Sequence, residues 1–88
     1  MAFYTNQAAC LTKLGKFREA IHCCHAARKI DEKWVKIYFR EGEAYNGLEE
    51  YADAAASFWE ALRLDPENKL FLKLFNDSKN KGRAKAAQ

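Results

Sequence analysis

The sequence predicts an all-α fold in which one helix-turn-helix unit is used twice, and three observations carry that expectation. The 88-residue chain holds one Pro and four Gly, too little turn punctuation for a β-sandwich, whose strands reverse every ~8 to 12 residues. Hydrophobic residues make up 49% and charged residues 31% of it, the balance of a globular domain rather than a disordered segment. The chain also matches itself at an offset of thirty-four residues: Tyr4 falls on Tyr38, Leu14 on Leu48, Ala20 on Ala54, Ala27 on Ala61 and Asp31 on Asp65. A fixed period of this size is the mark of stacked helical units. The length leaves no room for two independent cores.

The periodicity predicts helices over 2–14, 17–29, 35–47 and 51–64. Gly15 and the pair Asn46-Gly47 are the expected helix-ending residues, since a left-handed residue closes many helices. Asp65-Pro66 is expected to stop the fourth helix and start a fifth over about 67–80, Asp as cap and Pro in the first turn. Leu70, Phe71, Leu74 and Phe75 supply that helix with one buried stripe. Small residues at Ala20, Ala27, Ala54 and Ala61 let helices approach, and Tyr4, Leu11, Tyr38, Tyr45 and Phe58 fill the space between them. Trp34 and Trp59 are expected to pack between helices rather than to recognise a ligand.

In the second unit Tyr38, Gly42, Tyr45, Ala54, Phe58, Ala61 and Pro66 stand at the spacing of a known pattern, with Glu41 where Leu is usual. The first unit keeps Tyr4, Ala8, Leu11, Ala20 and Ala27, with Cys24 where a large aromatic is usual and Glu32 where Pro is usual. Over residues 1–66 the chain thus resembles the tetratricopeptide repeat. The resemblance implies a right-handed α-solenoid of two repeats, 1–34 and 35–68, plus a C-terminal capping helix over 67–82. These make five helices in a domain spanning 1–82, followed by a basic flexible tail at 83–88.

In stacked helical pairs the first helix of each pair lines the concave face, where extended peptides bind. Asn6 and Arg40 are thirty-four residues apart and so occupy equivalent places, and Lys36 lies one turn before Arg40. A planar two-pronged donor, a mobile cation and an amide together suit a carboxylate. Ala9, Lys13 and Glu43 border the same groove; Glu43, three residues after Arg40, can occupy its guanidinium or repel an acidic peptide. Asn6, Lys36 and Arg40 resemble the carboxylate-clamp subclass of tetratricopeptide cochaperones. That resemblance implies a protein-binding adaptor whose partner is the acidic C-terminal peptide of a heat-shock chaperone. The subclass takes a further Lys and Asn from a preceding repeat, which this chain does not include. Two other readings stay open at this point: the three side chains are plain solvated surface, or the chain is an assembly module, a fragment of a longer array or a homodimer through its uncapped first helix.

Other chemistry has little support. His22-Cys23-Cys24-His25 are all metal-ligand types, but consecutive helical residues point ~100° apart and cannot converge on one ion. With Cys10 the three cysteines are odd in number and read as reduced thiols. No phosphate loop, zinc-protease motif or nucleophile elbow is present, so neither an enzyme nor a cofactor is expected. A net charge of +3 and a basic end without interleaved aromatics argue against nucleic acid. No apolar run approaches the ~18 residues of a membrane span, and the start lacks the basic region of a signal peptide. The expected location is the cytoplasm.

Overall fold

Five helices account for most of the chain in the computed structural model, which describes residues 2–86: α1 (Ala2–Lys13), α2 (Phe17–Ile30), α3 (Val35–Gly47), α4 (Tyr51–Leu64) and α5 (Lys69–Ala86). Each packs on its neighbour in sequence, and α1 also lies against α3. Local charge supports the second helix of each pair. Glu19 sits in the first turn of α2 with Arg28 and Lys29 in its last, and Asp53 and Arg63 do the same for α4, each complementing the helix dipole.

The core forms where small residues let the helices close. Ala8, Ala20, Ala27 and Ala44 are fully buried with Ile21, Cys24 and Ile37, and Tyr4, Leu11, Phe17, Trp34, Tyr45 and Leu48 pack around them. Tyr38, Ala61 and Phe71 make a second cluster with Val35, Phe39, Leu62 and Leu64. Cys24 fills the place of an aromatic as a packed thiol. Burial, and after it the nearby Glu41 carboxylate, push its pKa up to about 12, so at neutral pH it is an uncharged core group rather than a nucleophile.

Turn chemistry departs from expectation at three places. Gly15 takes the left-handed conformation, with φ +80°, but after α3 the left-handed residue is Glu49, with φ 59°, and not Gly47. Glu49 stands thirty-four residues after Gly15, so the two units reverse at the same position. Gly47 remains helical and serves packing, because a Cβ there would run into the Phe17 ring. The fifth helix starts at Lys69 rather than 67, capped by Asn68, whose Oδ1 accepts the Phe71 N–H at 3.1 Å. Asp65 instead accepts from the Asn68 side chain at 3.1 Å.

α5 repeats the register of α3. Phe71 and Ser78 are buried thirty-four residues after Ile37 and Ala44, and Leu70, expected in the buried stripe, is 52% exposed. Ser78 donates to the Asn46 side chain at 3.1 Å. The expectation of a flexible tail from residue 83 is corrected as far as Ala86. Lys81 and Lys85 each lie 5.8 Å from the centre of the Tyr51 ring, and Lys85 Nζ donates to the Glu49 carbonyl at 2.9 Å. These contacts carry α5 past the last large apolar side chain; residues 87 and 88 lie outside the described segment. Trp59 packs its ring on Phe75 of α5 at 5.5 Å, the expected packing between helices, while half of it stays exposed.

Glu41, where an aliphatic residue is usual, is buried. It accepts hydrogen bonds from Arg28 Nη2 and from Ser57 Oγ at 2.9 Å, and His25 Nε2 lies 3.4 Å away. A buried carboxylate is tolerable only when its lone pairs are occupied in this way. His25 therefore faces a carboxylate on the next unit, while Cys24 points into the core.

Two stability outcomes follow. Gly42→Ala is expected to destabilise the fold by about 1 to 3 kcal/mol in urea titrations, despite Ala's better helix propensity. The added Cβ would meet the ring of Phe58 at 2.5 to 2.7 Å, and that ring is fully buried. Arg28→Met is expected to cost about 2 kcal/mol by stranding Glu41, an amount held down because the Arg28 side chain keeps 37% of its exposure. Adding Glu41→Leu to it should recover most of that loss.

Candidate peptide-binding groove

The residues named from spacing fall on one stripe of each first helix. Along α3 the positions 36, 40, 43 and 47 follow one another by about one turn, and they turn away from Ile37, Glu41 and Ala44, which are buried. The matching positions on α1 are Asn6, Ala9 and Lys13, thirty-four residues before Arg40, Glu43 and Gly47. On α5 they are Leu70 and Leu74, which follow Lys36 and Arg40 by the same interval. The helix packing that buries the other faces leaves these stripes side by side. A groove along them is lined by Thr12 of α1, Phe39, Glu43 and Asn46 of α3, Phe58 of α4, and Leu70 and Leu74 of α5.

Side-chain states differ within this set. Asn6, Lys13 and Lys36 are exposed and Ala9 is half-buried. Neither Asn6 nor Lys36 makes a hydrogen bond or ion pair with another described residue, so both are available to a ligand. Arg40 is not. Its Nη1 donates to Glu43 Oε1 at 2.8 Å, and its guanidinium carbon lies 5.0 Å from the centre of the Phe39 ring. The two side chains keep 31% and 35% of their exposure, so this pair is partly withdrawn from water. Three cations, Lys13, Lys36 and Arg40, stand against one carboxylate on the stripe, leaving it positive.

The α5 wall was missed by reasoning from sequence. Hydrophobicity places Leu70 and Leu74 in the core, whereas the thirty-four-residue offset, carried one step further into α5, sets them in line with Lys36 and Arg40. Phe39 lines the groove as well, which the charge pattern of its neighbours does not reveal. The result is a groove whose lining is polar at Thr12, Glu43 and Asn46 and apolar at Phe39, Phe58, Leu70 and Leu74, beside the exposed stripe that carries Lys13, Lys36 and Arg40. Such a surface can hold a carboxylate on the stripe and aliphatic or aromatic side chains in the groove.

α1 differs from α3 on a second face. Phe3 on α1 and Leu14 just after it are 70% and 71% exposed, whereas their equivalents in the second unit, Ile37 on α3 and Leu48 just after it, pack into the first cluster.

Comparison with known proteins agrees with the fold. The profile of the tetratricopeptide repeat matches residues 35–68. Heat shock protein STI1 of Saccharomyces cerevisiae is 39% identical over 66 residues, which are 75% of this chain and 11% of that protein. The chain therefore spans a small part of such relatives. The solved Arabidopsis OM64 TPR domain superposes with a TM-score of 0.84 at 38% identity, covering 90% of this chain and 65% of that one. The first TPR of Spaghetti (RPAP3), bound to the HSP90 peptide SRMEEVD, gives 0.81 at 27% identity, covering 97% and 65%. Two units in register, small residues at their crossings, and these matches lead to one conclusion: the chain belongs to the tetratricopeptide-repeat family.

Proposed function

We propose that this chain is a peptide-binding adaptor that holds the acidic C-terminal tail of a heat-shock chaperone in its concave groove. The observation that carries the reading is the positive stripe on α1 and α3. There Asn6 and Lys36 are unengaged and exposed, and Arg40 occupies the place equivalent to Asn6. The Spaghetti domain, similar in fold and in part of its sequence, was solved with such a tail, and STI1 is named for the heat-shock response. In this reading Lys36 supplies a mobile cation, Arg40 a two-pronged donor and Asn6 an amide N–H, all directed to the terminal carboxylates. Each charge-assisted bond is worth ~1.5 to 3 kcal/mol before ordering costs. Ala9 leaves room beside Asn6, and Lys13 adds to the attraction. The role is binding rather than catalysis. No described helix is long and apolar enough to cross a membrane; the cytosolic setting of this reading rests instead on its partner, the tail of a heat-shock chaperone.

Calorimetric titration with SRMEEVD near physiological salt, where charges are screened over ~8 Å, tests it. Binding should be lost when the peptide is amidated at its C-terminus, and weakened at least tenfold by Arg40→Ala or Lys36→Ala. Equal affinity for the free and amidated peptides would refute the clamp.

One observation favours a second reading, association of two copies through α1: the exposure of Phe3 and Leu14, whose equivalents in the second unit are packed. Light scattering would then show a concentration-dependent dimer abolished by Phe3→Glu with Leu14→Glu. A mass of one chain at every concentration would rule it out.

A further inference from the structure

Resting on the clamp reading, we propose that Glu43 is an internal competitor for Arg40 that sets how much negative charge the groove tolerates beyond a ligand's terminal carboxylate. The two cations of α3 are in different states. Lys36 is exposed and unengaged among the described residues, whereas Arg40 already donates to Glu43 at 2.8 Å, with both side chains about two-thirds buried. An arriving carboxylate meets Lys36 directly, but it gains Arg40 only by taking the guanidinium from Glu43.

The exchange leaves a cost behind. The groove walls next to Glu43 are Thr12, Phe39, Asn46, Phe58, Leu70 and Leu74, none of them a cation, and among the described residues the ion pair of Glu43 is with Arg40 and not with Lys13 or Lys36 on the neighbouring stripe. Once Arg40 turns to the ligand, the Glu43 carboxylate stays one helical turn away, in surroundings that screen it less than open water does. Acidic residues two and three places before a peptide's end lie roughly 7 to 10 Å from its terminal carboxylate, about one screening length at physiological salt. Repulsion from Glu43 therefore grows with the number of internal acids, while a lone terminal acid bears little of it. The equivalent position on α1 is Ala9, which is neutral, so this discrimination is confined to α3.

The test is a four-way comparison of dissociation constants: wild type and Glu43→Gln, each with SRMEEVD and with SRMQQVD, which keeps the terminal Asp and neutralises the two internal acids. Glu43→Gln is expected to tighten SRMEEVD roughly fivefold and SRMQQVD by no more than about twofold, the scale of a partly exposed ion pair. Glu19→Gln, the same change of charge on α2, should alter neither. An equal gain for both peptides would show that Glu43 competes for Arg40 without discriminating against internal acids, and no gain would show that it does not compete; either overturns the inference while leaving the clamp standing. A wild-type chain that binds SRMEEVD no better than its amidated form overturns the clamp, and this inference with it.

Discussion

The distance between neighbouring helices is fixed by side chains no larger than a methyl group. Ala8, Ala20, Ala27, Ala44, Ala54 and Ala61 are all fully buried, and Gly42 lets the Phe58 ring lie directly on α3. Close approach of this kind gains dispersion from many weak contacts at once, and a single added carbon forfeits it because packed interiors do not flow. Everything functional in the molecule is downstream of that spacing. The stripes of α1, α3 and α5 face one groove only because the helices between them are held at this separation.

Repetition makes most of this legible in the sequence alone. The offset that aligns Ala20 with Ala54 and Ala27 with Ala61 reports core positions, where packing leaves few choices, and the helices it implied are those observed to within a few residues. What sequence reading lost lay where the repeat changes the chemistry but keeps the place. Glu49 is left-handed because Gly15 is, although nothing about a glutamate announces it. Leu70 read as core by its hydrophobicity and stands at the groove by its register. The end of α5 was underestimated for a different reason. Its residues contain no large apolar side chain, and the contacts that hold them are lysines lying on Tyr51, which are non-local and leave no periodic signal.

The groove was only half legible. Residue type and spacing pointed to Asn6, Lys36 and Arg40, because cations and amides on an exposed stripe have few structural uses. Sequence could raise the pairing of Arg40 with Glu43 but could not decide it, since residues three apart on a helix are able to meet without being obliged to. The apolar part of the groove required the fold, because Phe58, Leu70 and Leu74 reach it from α4 and α5, helices other than those that carry the charged stripe.

The burial of Glu41 has a consequence for how the array is jointed. His25, Arg28 and Glu41 join the first unit to the second, and the residues thirty-four places later are Trp59, Leu62 and Phe75. One seam is therefore ionic, while at the other the Trp59 ring lies tilted against Phe75 and Leu62 packs on the cluster of Tyr38, Ala61 and Phe71. The two seams have different weaknesses. Added salt reaches the partly exposed Arg28 and His25 and loosens the first, whereas cooling erodes the apolar drive that closes the second. The units share a shape but are not interchangeable: a second unit grafted behind another second unit would set Glu41 against Trp59 and Leu62, a carboxylate with no cation to meet it.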